Sequence, residues 1–227
     1  MRFSAKSSAG RWACASGGCS RGALAPNSDN CVVTANASDG TDDDLLTRIV
    51  AAARRLFVDN GVSRTRLEDV SAAVGISRQY LYRFVSGRDK LIELALLARC
   101  RELGAQLAAR ANLDTDDVTA AVVDQVVAGA MIAHDSEFGL LAAAMPRDRV
   151  NALLTSADSP LHRINTRVFG PLFARAISAG LLRTDVSVDA MVTWLQGVMT
   201  MLAGRSDLDE VSMHDVVDTF VVPSLFC

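Results

Sequence analysis

The sequence predicts an all-α fold, and three observations carry that prediction. From Thr41 onward apolar residues recur at three- and four-residue steps, the spacing of one helix face. The breaks between these stretches are helix punctuation: Asn60-Gly61, Gly75, Asn112 to Asp114, Asp135-Ser136, Pro146, Asp158 to Pro160, Gly180 to Asp185 and Gly204 to Asp209. No convincing strand pair and no fixed-period repeat interrupts the pattern.

Asp42, Asp43 and Asp44 place negative charge at the start of the first helix, where the helix dipole favours it. Leu45, Ile49, Ala52, Ala53, Leu56 and Phe57 form its apolar face, and Gly61 ends it in a left-handed cap. A second helix opens at Thr65, with Glu68 three residues on as a capping box, and closes at Gly75. After Ile76-Ser77 a third helix runs from about 78 to 85. Ser86 with Asp89 caps a long fourth helix reaching about Arg110. Further helices are predicted at about 115–134, 137–144, 147–155, 159–179, 187–204 and 212–225.

Composition narrows the function classes. Half of the 227 residues are hydrophobic and 22% are charged, so a sizeable core is available. No apolar run approaches the roughly 20 residues of a membrane-spanning helix. Residues 1–40 are rich in Ser, Gly, Ala and Asn and lack both apolar periodicity and a secretory-signal core. They read as a disordered tail or an over-extended gene start. Five cysteines without a regular framework (Cys14, Cys19 and Cys31 within that tail) argue against a disulfide-built secreted domain. The cytoplasm is the expected compartment. The three histidines are isolated, so neither a metal nor a cofactor is expected.

A net charge of −3 hides a segregation. Between Leu45 and Lys90 nine basic residues face four acidic ones, a surplus of five. From Leu91 onward ten arginines face seventeen acids, a deficit of seven. A basic front and an acidic rear point to a polyanion met by the front alone.

Three requirements coincide within residues 65–91. Ser71, Ala72 and Ala73 give the second helix a small surface toward the third, and Gly75 tolerates the positive φ of a tight turn. Leu81 and Val85 with Ile76 anchor the third helix. Arg78, Gln79, Tyr80, Tyr82 and Arg83 remain for its outer face. This order is that of a helix-turn-helix.

Here the sequence resembles the TetR family of repressors. The resemblance rests on Ile49 to Gly61, Thr65 to Gly75, Ile76-Ser77-Arg78, Leu81-Tyr82-Arg83 and Ser86 to Leu91. It covers about fifty residues as a block, and the rear half is similar only in helix layout. The resemblance implies a DNA-binding domain at 41–90 and a helical effector-binding and dimerisation domain at 91–227. It implies phosphate contacts by Tyr82 and Arg88 and backbone contacts by Thr65 and Arg66. It also implies base reading by Ser77, Arg78, Gln79 and Tyr80. Arg suits the guanine edge and Gln the adenine edge. Gln79-Tyr80 departs from the small residues usual in the family, and Phe84-Val85 from its usual His-Phe.

The family layout further implies a homodimer through helices 187–204 and 212–226, which are rich in apolar residues. It implies a palindromic double-stranded operator and a small effector enclosed by the middle helices, and the scarcity of charge among their apolar residues points to a hydrophobic one. Candidate lining residues are Met131, His134, Phe138, Met145, Phe169, Phe173 and Trp194. A repressor released by its effector is the leading expectation. An activator, or an architectural DNA-binding protein without a sensor, stays open. No phosphate loop, nucleophile elbow or zinc-spaced pair supports an enzyme.

Overall fold

The computed structural model describes residues 38–227 other than Asn112 and Ser206. The tail expected at residues 1–40 lies almost entirely outside the described residues. Helix α1 spans Ser38–Asn60, α2 Leu67–Val74, α3 Arg78–Leu81 and α4 Arg88–Arg110. Helix α5 spans Val118–Met131 and runs into a 3₁₀ turn at Ile132–His134. Then come α6 (Ser136–Ala143), α7 (Arg147–Thr155), α8 (Pro160–Ser178) and α9 (Val188–Ala203). The chain ends in α10 (Glu210–Val216), a π turn (Val217–Val221) and α11 (Val222–Leu225). An isolated bridge between Leu182 and Phe226 is the sole β pairing among the described residues.

The helix starts are set by short polar side chains that accept otherwise orphaned backbone N–H groups. Asp117 caps α5 at 2.9 Å, Ser159 caps α8 at 3.0 Å and Asp209 caps α10 at 2.8 Å. Two starts differ from the sequence reading. Arg66, not Thr65, is the cap residue of α2, and the Asp69 carboxylate accepts its N–H at 2.8 Å. Helix α4 begins from Gly87 without a side-chain cap, so Ser86 does not serve there.

Pro171 lies inside α8, where proline costs about 3 kcal/mol. The helix continues because Val168, Phe169, Leu172, Phe173 and Ala176 on both sides of it are buried. The last helix, expected to be uninterrupted, widens into the π turn just ahead of Pro223. The proline ring has no N–H to give to the preceding turn, and the wider turn accommodates it.

Two apolar clusters fill the described unit. One joins Ile49, Ala53, Phe57, Val70, Leu81 and Val85 of the front helices to Leu96, Cys100, Phe138 and Leu141. The other lies among α5, α8, α9 and the C-terminal turns, around Val126, Phe169, Leu172, Val192 and Leu195. Helix α4 packs on α1, α6 and α8, and so connects the two. No single helix among the described residues is long and apolar enough to cross a membrane.

Candidate nucleic-acid interface and effector cavity

The turn between α2 and α3 is fixed by Gly75 at φ 77°, which brings the Ile76 N–H to the Ser71 carbonyl at 3.0 Å. Ser77 then caps α3 by accepting the Tyr80 N–H at 3.1 Å. Helix α3 is one α turn followed by tighter turns through Val85, shorter than the expected 78–85 helix. Leu81 and Val85 are buried beneath it. Ser77, Arg78, Gln79, Tyr82 and Arg83 are exposed on the outer side, while Tyr80 is half-buried.

This outer face is preorganised. The Arg78 guanidinium donates to the Tyr82 hydroxyl at 3.2 Å and stacks over its ring at 5.6 Å. It also pairs with Glu68 of α2 at 2.6 Å. The Tyr82 hydroxyl first and the Glu68 carboxylate second push the Arg78 pKa up, so its charge is permanent. Arg83 covers the Tyr80 ring at 5.2 Å, and Tyr80 packs edge-on against Phe84.

Two of the expected DNA contacts have other tasks. Thr65 is 3% exposed, and its hydroxyl lies 3.1 Å from both the Leu56 and Gly61 carbonyls. Its side chain therefore locks the loop between α1 and α2 and does not face outward. Arg66, next to it, is exposed. Arg88 is exposed yet donates to the Val62 carbonyl, tying the start of α4 to the same loop.

A cavity of about 110 Å³ opens behind this head, between α4, α8 and α9. Three helical stripes converge on it: Cys100, Gly104 and Leu107; Leu161, Ile164, Asn165 and Val168; and Gln196, Met199, Thr200 and Ala203. Each stripe keeps the spacing of one helix face. Gly129, Ile132, Phe138, Leu154 and Phe169 complete the wall.

Of the expected lining residues, Phe138 and Phe169 are brought together here, and five are not. Trp194 is two residues from Gln196, most of a half-turn round α9, and is 51% exposed. Phe173 lies one turn beyond Phe169 and packs into the rear cluster. Met145 belongs to the front cluster, and His134 is exposed at the end of the 3₁₀ turn. Met131 borders a separate shallow groove with Leu103, Arg110 and Ala128. The selection by size missed the α4 wall and the polar trio Asn165, Gln196 and Thr200. The signal was present: Gln196 stands at a buried phase in the largely apolar stretch from Met191 to Leu202.

An ionic clasp joins head to body beside the cavity. Arg54 of α1 grips Glu137 of α6 with two bonds of 2.6 and 2.9 Å and also donates to Glu102 of α4. Arg99 of α4 holds Asp135 at 2.5 and 3.0 Å and Glu102 at 3.0 Å. The Arg54 guanidinium draws the Glu102 carboxyl below its ordinary pKa, and Arg99 does the same to Asp135. Asp135 also caps α6 by accepting the Phe138 N–H at 2.8 Å. Ile132 and Phe138, on either side of this clasp, line the cavity.

On the far side of α9, Ala190, Trp194, Gly197 and Met201 form an outward stripe. Trp194 is steadied by donating from its indole nitrogen to Ser224 at 3.1 Å. Val211 and Phe220 of the C-terminal segment are each 70% exposed. Among the described residues no group of His, Cys, Asp or Glu is arranged to hold a metal ion.

Residues 49–95 match the profile of the bacterial regulatory proteins of the tetR family. HTH-type transcriptional regulators of Mycobacterium tuberculosis and Mycobacterium bovis are 28% identical over 156 residues, covering 63% of this chain. That match spans 60% of those relatives' own length. A TetR-family transcriptional regulator from Pectobacterium atrosepticum has a similar fold, with TM-score 0.62 and 16% identity over 83% of this chain and 97% of its own. RolR in complex with resorcinol follows at TM-score 0.58 and 13% identity, over 82% of this chain and 90% of its own. The profile match thus lies on the exposed helix-turn-helix, which is similar to the DNA-binding segment of the tetR-family regulatory proteins, and the all-helical body behind it shares the fold of TetR-family structures.

Proposed function

We propose that the chain is a DNA-binding transcriptional regulator, a repressor that binds a palindromic operator as a homodimer and is released by a small molecule. The observation that carries the reading is the outer face of α3. Arg78, Gln79, Tyr82 and Arg83 are exposed to solvent while Leu81 and Val85 are buried beneath them. Arg78 and Gln79 read base edges, Tyr82 and Arg83 hold phosphates, and Arg66 at the α2 cap adds a backbone contact. Ser77 and Tyr80 flank the same face. Thr65 and Arg88 act through the loop they brace.

One head meets one half-site, so a two-fold partner supplies the second. The outward stripe of α9 with Val211 and Phe220 offers the apolar surface for that partner. Helix α4 supplies the release. Its Cys100, Gly104 and Leu107 wall the cavity, and its N-terminal turns carry Leu91 and Ile92 in the front cluster. A ligand that favours the DNA-incompetent arrangement by about 1–3 kcal/mol suffices to shift it. The resorcinol held by RolR supports an effector in this fold.

Selection of bound duplexes from a random pool tests the reading. A palindromic winner is expected, and Gln79→Ala should relax the preference at one base position per half-site. No enrichment over random sequence would overturn it.

A further inference from the structure

The cavity wall specifies more than an apolar ligand. Its lining is mostly apolar, with Leu107, Ile132, Phe138, Val168, Phe169 and Met199 among the wall residues. No Lys, Arg, Asp, Glu or His lines it among the described residues. Cys100 is the single titratable group there, and burial pushes its thiol up to about 12, so it stays neutral. An ion entering this space would leave water without meeting a counter-charge, which strongly disfavours charged ligands.

The three polar side chains are clustered, and their bonding capacity is not exhausted. Asn165 donates to the Gln196 side-chain carbonyl at 3.1 Å, and Gln196 reaches the Ser156 carbonyl only at 3.5 Å. Thr200 donates to the Gln196 main-chain carbonyl at 2.8 Å. Two side-chain amides carry four N–H groups and two carbonyl oxygens between them. One strong and one stretched bond leave donors and an acceptor over. Gln196 is 1% exposed, so its remaining N–H is withdrawn from outside water, while Asn165 and Thr200 are half-buried.

Size is limited as well. At about 110 Å³ the cavity is smaller than the roughly 150 Å³ of a dry cavity that holds benzene, so a single ring is the upper limit and its entry requires the wall to give. Its walls are closely seated: a Cβ on Gly129 would come within 2.3 Å of the Met199 sulfur.

We infer that the cavity takes an uncharged molecule with a single-ring apolar body and one hydrogen-bonding group, which the Asn165–Gln196 amide pair and Thr200 receive. This rests on the cavity being the effector site of the proposed regulator.

Four probes of similar size test it on the intact protein by calorimetry and thermal unfolding: phenol, toluene, benzoate and benzylammonium at pH 7. Phenol should bind saturably and raise the unfolding midpoint. Toluene should bind at least tenfold more weakly, and the two ions should not bind. Gln196→Leu should weaken phenol about tenfold and leave toluene unchanged or tighter. Thr200→Val and Asn165→Leu serve as independent variants should Gln196→Leu fold poorly. Benzoate or benzylammonium binding as well as phenol, no saturable phenol binding, or phenol affinity indifferent to these substitutions would each overturn the inference. The same probes are added to the complex with selected duplex. Phenol bound in the cavity with no change in DNA affinity would refute effector release and leave the ligand class standing. Release by benzoate would do the reverse.

Discussion

Replacing Arg54 by methionine keeps the apolar stem against α1 and removes the guanidinium at the centre of the clasp. The Arg54 side chain is 15% exposed and that of Glu137 18%, so the pair is largely withdrawn from water. Breaking a fully buried pair costs about 3–5 kcal/mol, since the remaining charge is left uncompensated. Here Arg99 stays within 3.4 Å of Glu137 and 3.0 Å of Glu102, and Glu102 is half exposed. Both facts reduce the penalty, to about 2 kcal/mol. For a chain of this size that is a fall in Tm of about 4–8 °C.

Urea unfolding followed by circular dichroism measures the loss. The double variant Arg54→Met with Glu137→Gln should recover part of it through a coupling energy above about 1 kcal/mol. The pH dependence has a fixed sign. Glu102, whose folded pKa is lowered first by Arg54, contributes fully above the unfolded carboxylate range, near pH 4, and that contribution disappears as pH falls through the folded value, whereas Asp135 keeps Arg99 in both proteins. The wild type should therefore lose its advantage over the variant below about pH 4. A destabilisation under about 0.5 kcal/mol at pH 7, or an unchanged difference at low pH, would refute the assignment of the clasp as the head-to-body tie.

Glu68→Gln frees Arg78 from its ion pair and should tighten binding to any duplex up to about fivefold in low salt, read by fluorescence anisotropy. Tyr82→Phe removes the hydroxyl assigned to a phosphate, and it should weaken all sequences alike in the same assay, the Glu68 pair still holding Arg78. Trp194→Glu or Phe220→Glu places charge on the outward stripe and should yield monomers in sedimentation velocity without lowering the helix content. His214 is bonded to the Glu210 carbonyl first and to Asp124 second, and both raise its pKa. Its contribution is complete below the unfolded value, near 6.5, and is lost as pH rises through the folded one. His214→Gln should therefore flatten stability between about pH 6 and 8, by less than about 1 kcal/mol at this half-buried site.

Most helices and most of their boundaries were legible because capping is local chemistry. Asp117, Asp135, Ser159, Ser187 and Asp209 sit in or beside the breaks that the sequence marks, and each accepts a backbone N–H. The outer face of α3 was legible for a similar reason, since Leu81 and Val85 fix its phase. Thr65 was misread because a threonine before a helix caps or faces water equally well in one dimension. Only the return of the α1 loop shows its hydroxyl enclosed between two carbonyls. The cavity was half legible. Large apolar residues identify a core, but which of them border an empty space depends on how three helices converge. That left Trp194 outside and brought in Gly104 and Ala203, whose small size makes the room.

Because one rod serves as chamber wall at Cys100, Gly104 and Leu107 and as foundation for the head at Leu91 and Ile92, its positions answer to two selections at once. Under the proposed function, diversification toward new effectors falls to the α8 and α9 walls, whose residues line the chamber without joining the front cluster at Leu91 and Ile92. Libraries for biosensor engineering should accordingly be richer in inducible variants when randomised at Asn165, Gln196 and Thr200 than at Gly104.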